Sequence, residues 1–146
     1  MLSDIARAYE RMIAKVRDPI PGFCWIFEGA LDRYGYGMVR AWIEEEDDEE
    51  GHWGTRKAHQ VSFVYHRGPI PKTICKRCKT PSDERRGWCE KCGTKLPFMV
   101  LRHRCHTPAC VNPEHLLPGT QGENIMDMIE RGTFMGKQQE PAECPF

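Results

Sequence analysis

The sequence predicts an α+β domain, because amphipathic helical segments lie towards both ends of the chain and short strand-like segments fill the part between them. The length of 146 residues suits one domain, 1–146, and the 40% hydrophobic content argues against a wholly disordered chain. No apolar run approaches the ~20 residues that cross a bilayer, and the charged first segment is unlike a signal peptide. We therefore expect a cytoplasmic protein with no membrane partner.

The first predicted elements are a helix over residues 3–17 and two aromatic strand-like segments. Apolar residues recur at helical spacing in the first segment, Ser3 is its candidate N-cap, and Pro19 is expected to end it. Glycines punctuate the segments 23–28 and 34–43, as they do around short strands and turns.

The acidic run at 44–50 is expected to be a solvated hairpin tip, with 52–58 as the returning strand. Residues 58–66 fit a helix by the spacing of their apolar residues and a strand by their β-branching, so both interpretations stay open. A Cys-rich insert is predicted at 72–98, and a strand follows it at 98–105.

A final helix is predicted from about residue 121 to 131. Thr120 and Glu123 have the spacing of a capping box, in which each side chain satisfies the other's backbone N–H. The expected buried face of this helix carries three apolar residues, Ile125, Met128 and Ile129.

Four of the eight cysteines form two C-x2-C pairs within the insert. Each pair can turn two sulfurs towards one ion, and two such turns complete a tetrahedral site. The short polar stretch between the pairs cannot form a core of its own, so the metal would supply the folding energy. The sequence therefore predicts a closed, structural zinc ribbon held by Cys75, Cys78, Cys89 and Cys92.

A second cluster of metal-ligand residue types lies between residues 101 and 124. Cys105, Cys110 and His115 can form three corners of another zinc site, because the loop between them is short and rich in turn residues. Cys24 and Cys144 are the cysteines that remain, and either can complete the site.

The string H-x-C-x4-C-x-N-P-x-H-L-x2-G-T-x3-N, from His103 to Asn124, resembles the core of HNH and His-Cys box homing endonucleases with the ββα-metal fold. The resemblance extends over roughly residues 11–133, apart from the insert and the acidic run. Its other segments are RMIAKV, CWIFEGALDRYGYG, AHQVSFVYHRGPIP and ENIMDMIERG. The small phage-type members of this family are the most similar, which implies a chain encoded by a phage or mobile element.

The resemblance implies a role for each matching residue. His103 matches the general base that activates water, and Asn124 matches the ligand of the catalytic divalent cation. Asn112 matches the central asparagine, whose side chain holds the loop. The zinc ligands are matched by Cys24, Cys105, Cys110 and His115.

The implied activity is hydrolysis of DNA phosphodiester bonds, leaving 5′-phosphate and 3′-hydroxyl ends. A neutral imidazole can accept the proton of water near neutral pH, and one hard cation can neutralise the phosphoryl oxygens. We expect Mg²⁺ in that role, with Mn²⁺ able to substitute. The alternatives are a zinc-dependent DNA-binding or regulatory module without catalysis, and a restriction-type nuclease.

Double-stranded DNA is the expected partner, with the hairpin formed by 33–43 and 52–58 in its major groove. The candidate contacts are Arg33, Arg40, Arg56 and Lys57. One such site cuts one strand, so double-strand cleavage would need a homodimer acting on a palindromic target.

Overall fold

The computed structural model describes residues 2–43, 51–80, 88–89, 91–97 and 99–132. The predicted hairpin tip at 44–50 and Cys144 lie outside these residues. The chain divides into two compact units. The first contains the described residues of Met1–Pro69 and His103–Leu116, and the second contains those of Ile70–Arg102 and Leu117–Pro141.

The described residues form three α-helices, six short strands and one 3₁₀ helix, which confirms the predicted α+β class. None of these helices has the length and apolarity needed to cross a membrane. The strands pair as β1–β2, β3–β4 and β5–β6. In chain order the elements are α1 (Leu2–Ile13), β1 (Val16–Arg17), β2 (Ile26–Phe27), β3 (Met38–Ile43), β4 (His52–Lys57), α2 (Ala58–Arg67), β5 (Met99–His103), the 3₁₀ helix (Pro113–His115), β6 (Leu116–Thr120) and α3 (Gln121–Glu130).

Helix α1 is shorter than predicted, and it begins at Leu2, one residue before the candidate N-cap Ser3. The helix ends at Ile13 because the chain then turns, and Val16 pairs with Phe27 in the small β1–β2 sheet. The apolar residues of α1 pack into the core of the first unit. Its buried members are Ala8, Met12, Phe27, Val39, Ala41, Ala58, Val61 and Val111.

The β3–β4 hairpin is antiparallel, with a register that runs from Met38 opposite Lys57 to Ile43 opposite His52. The open question about residues 58–66 is resolved in favour of a helix, α2. Ala58, Val61 and Phe63 are buried, so the first turns of α2 contribute to the core.

The capping box of α3 is confirmed: Glu123 N donates to Thr120 Oγ1 at 3.3 Å, and Thr120 N donates to Glu123 Oε2 at 2.7 Å. The prediction that α3 has a buried apolar face is wrong for the described residues, because none of its side chains is buried and Ile129 is 48% exposed. Polar contacts hold the helix instead, since Arg102 Nη1 lies 2.9 Å from Asp127 Oδ2.

Candidate functional site

One metal-ligand cluster lies in the first unit, at the loop that follows β5. The ligand atoms of Cys24, Cys105, Cys110 and His115 all lie within 4.8 Å of one another. His115 Nδ1 is 3.6 Å from the sulfur of Cys24 and 3.6 Å from that of Cys110. The four side chains that the sequence predicted as one zinc site are therefore close enough to hold one ion.

Backbone hydrogen bonds bring the early segment around Cys24 to this loop. Phe27 N donates to Ala109 O at 2.9 Å, and Val111 N donates to Trp25 O at 2.9 Å. These two bonds extend the β2 segment alongside the loop, so a residue near position 24 meets ligands more than eighty positions later.

Asn112 fixes the other side of the loop. Its Nδ2 donates to Phe23 O at 2.7 Å, and its Oδ1 accepts from Glu114 N at 2.9 Å, which caps the 3₁₀ helix Pro113–His115. The residue is 1% exposed, and both ends of its amide are used within the fold. Asn112 thus holds the loop that carries His115.

The cysteines of this cluster differ in their bonding. Cys24 is disulfide-bonded, whereas Cys105 and Cys110 are free thiols. A disulfide sulfur carries no thiolate charge, so Cys24 would be a zinc ligand only when reduced. A hydrogen bond from Cys110 lowers the pKa of the Cys105 thiol to about 6, which favours the thiolate that a metal requires.

The second unit contains another metal-ligand cluster, formed by Cys75, Cys78, Cys89 and Cys92. The two C-x2-C pairs repeat one backbone pattern. In each, the first cysteine N–H donates to a threonine carbonyl five residues later, Cys75 to Thr80 at 2.9 Å and Cys89 to Thr94 at 2.8 Å. The residue after each pair has a positive φ, 58° at Lys79 and 66° at Gly93. Hydrogen bonds from Thr94 lower the pKa of Cys92 to about 6. These paired turns are suited to a four-thiolate site.

His103 lies at the end of β5, two positions before the first ligand of the loop, and is only 8% exposed. Its Nε2 lies 2.9 Å from Cys110 O. A carbonyl oxygen only accepts hydrogen bonds, so Nε2 carries the proton and, in the neutral ring, Nδ1 carries the lone pair. His103 therefore has a defined tautomer with a basic nitrogen.

A second buried histidine, which sequence reasoning did not assign to the site, lies beside His103. The ring centroid of His59 is 5.0 Å from that of His103, and Tyr36 lies within 5.3 Å of the first and 5.8 Å of the second. Burial, followed by the nearby charges of His103 and Lys57, lowers the pKa of His59 to about 3. No spacing in the sequence points to this histidine, because its position beside His103 depends on how α2 packs in the fold.

An ion pair lies at the edge of these rings. Lys57 Nζ is 2.6 Å from Asp32 Oδ2 and 4.4 Å from the centroid of Tyr36. Backbone N–H groups of Tyr34 and Tyr36 also donate to Asp32, and together with Lys57 they lower the pKa of its carboxyl group despite the opposing effect of burial. Lys57 is thus already bound within the fold.

The predicted DNA contacts do not share one face of the hairpin. Side chains alternate along a strand, so Arg40 and Lys57 lie on one face, while Arg56, opposite the buried Val39, lies on the other. Arg33 lies before β3, with its guanidinium 4.6 Å from the ring centroid of Tyr34.

Asn124 lies in the first turn of α3, where it is half-buried. It belongs to the second unit, whereas His103 belongs to the first. Its predicted position near the start of a capped helix is confirmed, and its role as a cation ligand stays a prediction.

The chain is similar to protein 2.8 of Escherichia phage T7, with 26% identity over 123 residues. The match covers 84% of this chain and 60% of the relative, so the chain spans about three fifths of that protein. No model of a known protein family matches the chain, and neither does any solved structure. The relative agrees with the predicted phage origin.

Proposed function

We propose that the chain is a metal-dependent DNA endonuclease of the ββα-metal type, with His103 as its general base. The observation that supports this most directly is the hydrogen bond from His103 Nε2 to Cys110 O, 2.9 Å long, which leaves the basic lone pair on Nδ1. The same tautomer and orientation are what a base needs in order to take a proton from water.

In the proposed reaction, Nδ1 of His103 accepts a proton as the water oxygen attacks phosphorus. The bond to the 3′-oxygen breaks on the opposite side of the phosphorus, and the departing oxygen takes a proton from a second water molecule, which leaves a 3′-hydroxyl and a 5′-phosphate. Mg²⁺, or Mn²⁺ in its place, would neutralise the phosphoryl oxygens when bound. The amide oxygen of Asn124 is a hard donor of the kind these ions take, and this assignment rests on the motif.

Both cysteine clusters are proposed to bind zinc. Thiolate and imidazole are the ligands zinc prefers, and each cluster offers four once Cys24 is reduced, which leaves no open position for water or substrate. The two zinc ions would therefore be structural, and the chemistry would take place at His103.

The test is nicking of supercoiled plasmid in the presence of Mg²⁺. The variant His103→Gln should reduce the rate by about 10²- to 10⁴-fold, the usual contribution of a general base. The matched control is His106→Asn, which removes the neighbouring exposed imidazole; asparagine tolerates the φ of 62° at that position. Zinc content should equal that of the wild type in both variants. Equal activity of wild type and His103→Gln would refute the assignment.

The alternative is a zinc-dependent DNA-binding module without catalysis, and one observation favours it. His103 is 8% exposed, a burial that also suits a histidine with a purely structural role. Under this alternative, the wild type binds duplex DNA and leaves plasmid intact with either Mg²⁺ or Mn²⁺. A restriction-type nuclease would share the proposed chemistry, and mapping of the cleaved ends would show whether the target is palindromic, as a homodimer requires.

A further inference from the structure

One surface of the first unit combines arginine and tryptophan side chains that the proposed cleavage site does not use. It is formed by one face of α1 and by the ends of β3 and β4 next to residues 43 and 52. We refer to it as the Arg–Trp cluster, and its members are Arg7, Arg11, Arg40, Trp42 and Trp53.

Trp53 is the centre of the cluster. It lies directly opposite Trp42 in the hairpin register, and the two rings meet edge to face with centroids 5.4 Å apart. Trp53 is 48% exposed, which is unusual for so large an apolar ring. The guanidinium of Arg11 lies 4.8 Å from its centroid, and that of Arg40 lies 5.5 Å from the same centroid.

This stacking orders two guanidinium groups that would repel each other electrostatically. Arg11 Nη1 also donates to the backbone oxygen Arg40 O at 3.3 Å, which holds the Arg11 side chain against β3. A guanidinium held over a ring keeps its in-plane N–H donors free of the ring face, and it loses little further entropy when it binds an anion.

An open cleft of about 280 Å³ lies beside these side chains. Its lining contains Asp4 together with Arg7 and Arg11. Together with Arg40, the described residues that line the cleft carry three positive charges against one negative charge, a difference of +2.

We propose that the Arg–Trp cluster binds the phosphodiester backbone of nucleic acid. Planar guanidinium groups match phosphate oxygens in two-point hydrogen bonds, and ordered arginines are the usual means of phosphate recognition. The contact is independent of base sequence, since no base edge is needed for it. The class of partner, nucleic acid, rests on the proposed function. The proposal does not require that the chain cleave DNA.

The test compares the salt dependence of DNA binding in two double variants. Arg7→Gln/Arg11→Gln removes two charges from the cluster. Arg17→Gln/Arg67→Gln removes two exposed charges elsewhere in the same unit and is the matched control. Binding of a labelled random-sequence duplex, and of one of its single strands, is followed by fluorescence anisotropy. Mg²⁺ is omitted so that nothing is cleaved, and no chelator is added, so the zinc clusters are left intact.

Each lost phosphate contact lowers the slope of log K against log salt by about 0.9 for duplex DNA. The cluster variant should therefore lose about two in slope, while the control keeps the wild-type slope. For the single strand the expected loss is about 0.7 for each contact, and the form that the wild type binds more tightly is the preferred one.

Equal slopes for wild type and cluster variant would overturn the proposal. Equal slopes are the result expected if the chain's own carboxylates already neutralise these arginines. Binding of polyglutamate that is lost in the cluster variant while duplex binding persists would overturn it in favour of an acidic protein partner. The nuclease proposal fails separately: a wild type that binds DNA with the expected slope but leaves plasmid intact with Mg²⁺ refutes cleavage alone.

Discussion

Acidification should destabilise this protein through His59. The imidazole is buried in α2, and its Nδ1 has no hydrogen-bond partner among the described residues. Protonation would place a positive charge beside His103 and Lys57, away from water, which is why the pKa of His59 falls to about 3. The ring therefore stays neutral in the folded protein at pH values at which the same histidine in the unfolded chain begins to bind a proton.

The magnitude follows from the difference between the folded and unfolded pKa values. An unfolded histidine titrates near ~6.5, so the unfolded state binds the proton first as the pH falls. The contribution of His59 to stability is complete above about pH 6.5 and is lost progressively towards pH 3. Between about pH 7.5 and 5.5 the loss is about 1.4 kcal/mol, a large share of the 5–15 kcal/mol typical of a domain.

The assay is urea unfolding of the wild type, His59→Gln and His52→Gln at both pH values, followed by tryptophan fluorescence with zinc present. His52 is an exposed histidine at the start of β4 and provides the matched control. Protonation of metal ligands affects all three proteins alike and cancels in the comparison. His59→Gln should lose about 1.4 kcal/mol less than the wild type on acidification. An identical loss in these two proteins would show that His59 is not held neutral.

Three further outcomes follow from the contacts described above. Asn112→Ala should reduce the free energy of unfolding by about 1–3 kcal/mol in chemical denaturation, because it removes the buried amide that donates to Phe23 O and accepts from Glu114 N. Cys110→Ser and Cys92→Ser should each lose one of two zinc ions per chain in elemental analysis, and loss of both ions from either variant would contradict two separate sites. Thr120→Ala should destabilise α3 by about 1 kcal/mol through loss of its capping box, measured by thermal unfolding; an unchanged midpoint would contradict this.

The features that the sequence predicted well depend on residues close together in the chain. The C-x2-C pairs and the capping box Thr120–Glu123 have spacings that determine their geometry almost alone. The returning strand at 52–58 was predicted from the acidic run before it, and it forms as β4, His52–Lys57. Neighbouring residues are sufficient to predict these structures, because few other backbone conformations satisfy the hydrogen-bonding and metal-binding groups involved.

The features that were missed depend on contacts between distant segments. The grouping of Tyr36, His59 and His103 brings a loop, a helix and a strand end together, and no spacing in the sequence encodes it. The apolar face of α3 was predicted to be buried from its periodicity, yet periodicity identifies an apolar face without showing what covers it. The faces of the candidate DNA contacts could not be assigned from the sequence, because one position of register decides which side Arg56 takes.

Cys110 links the metal cluster to the proposed base, and this link limits what a variant can show. Its sulfur belongs to the cluster, while its carbonyl oxygen accepts from Nε2 of His103 at 2.9 Å. A substitution that empties the cluster would move this carbonyl, and the hydrogen bond that fixes the tautomer and orientation of the His103 imidazole would be lost. Loss of activity in Cys110→Ser would therefore follow equally from a catalytic or a structural role of the loop. A His103 variant that retains both zinc ions separates the two, because it changes the imidazole and leaves the cluster that orients it intact.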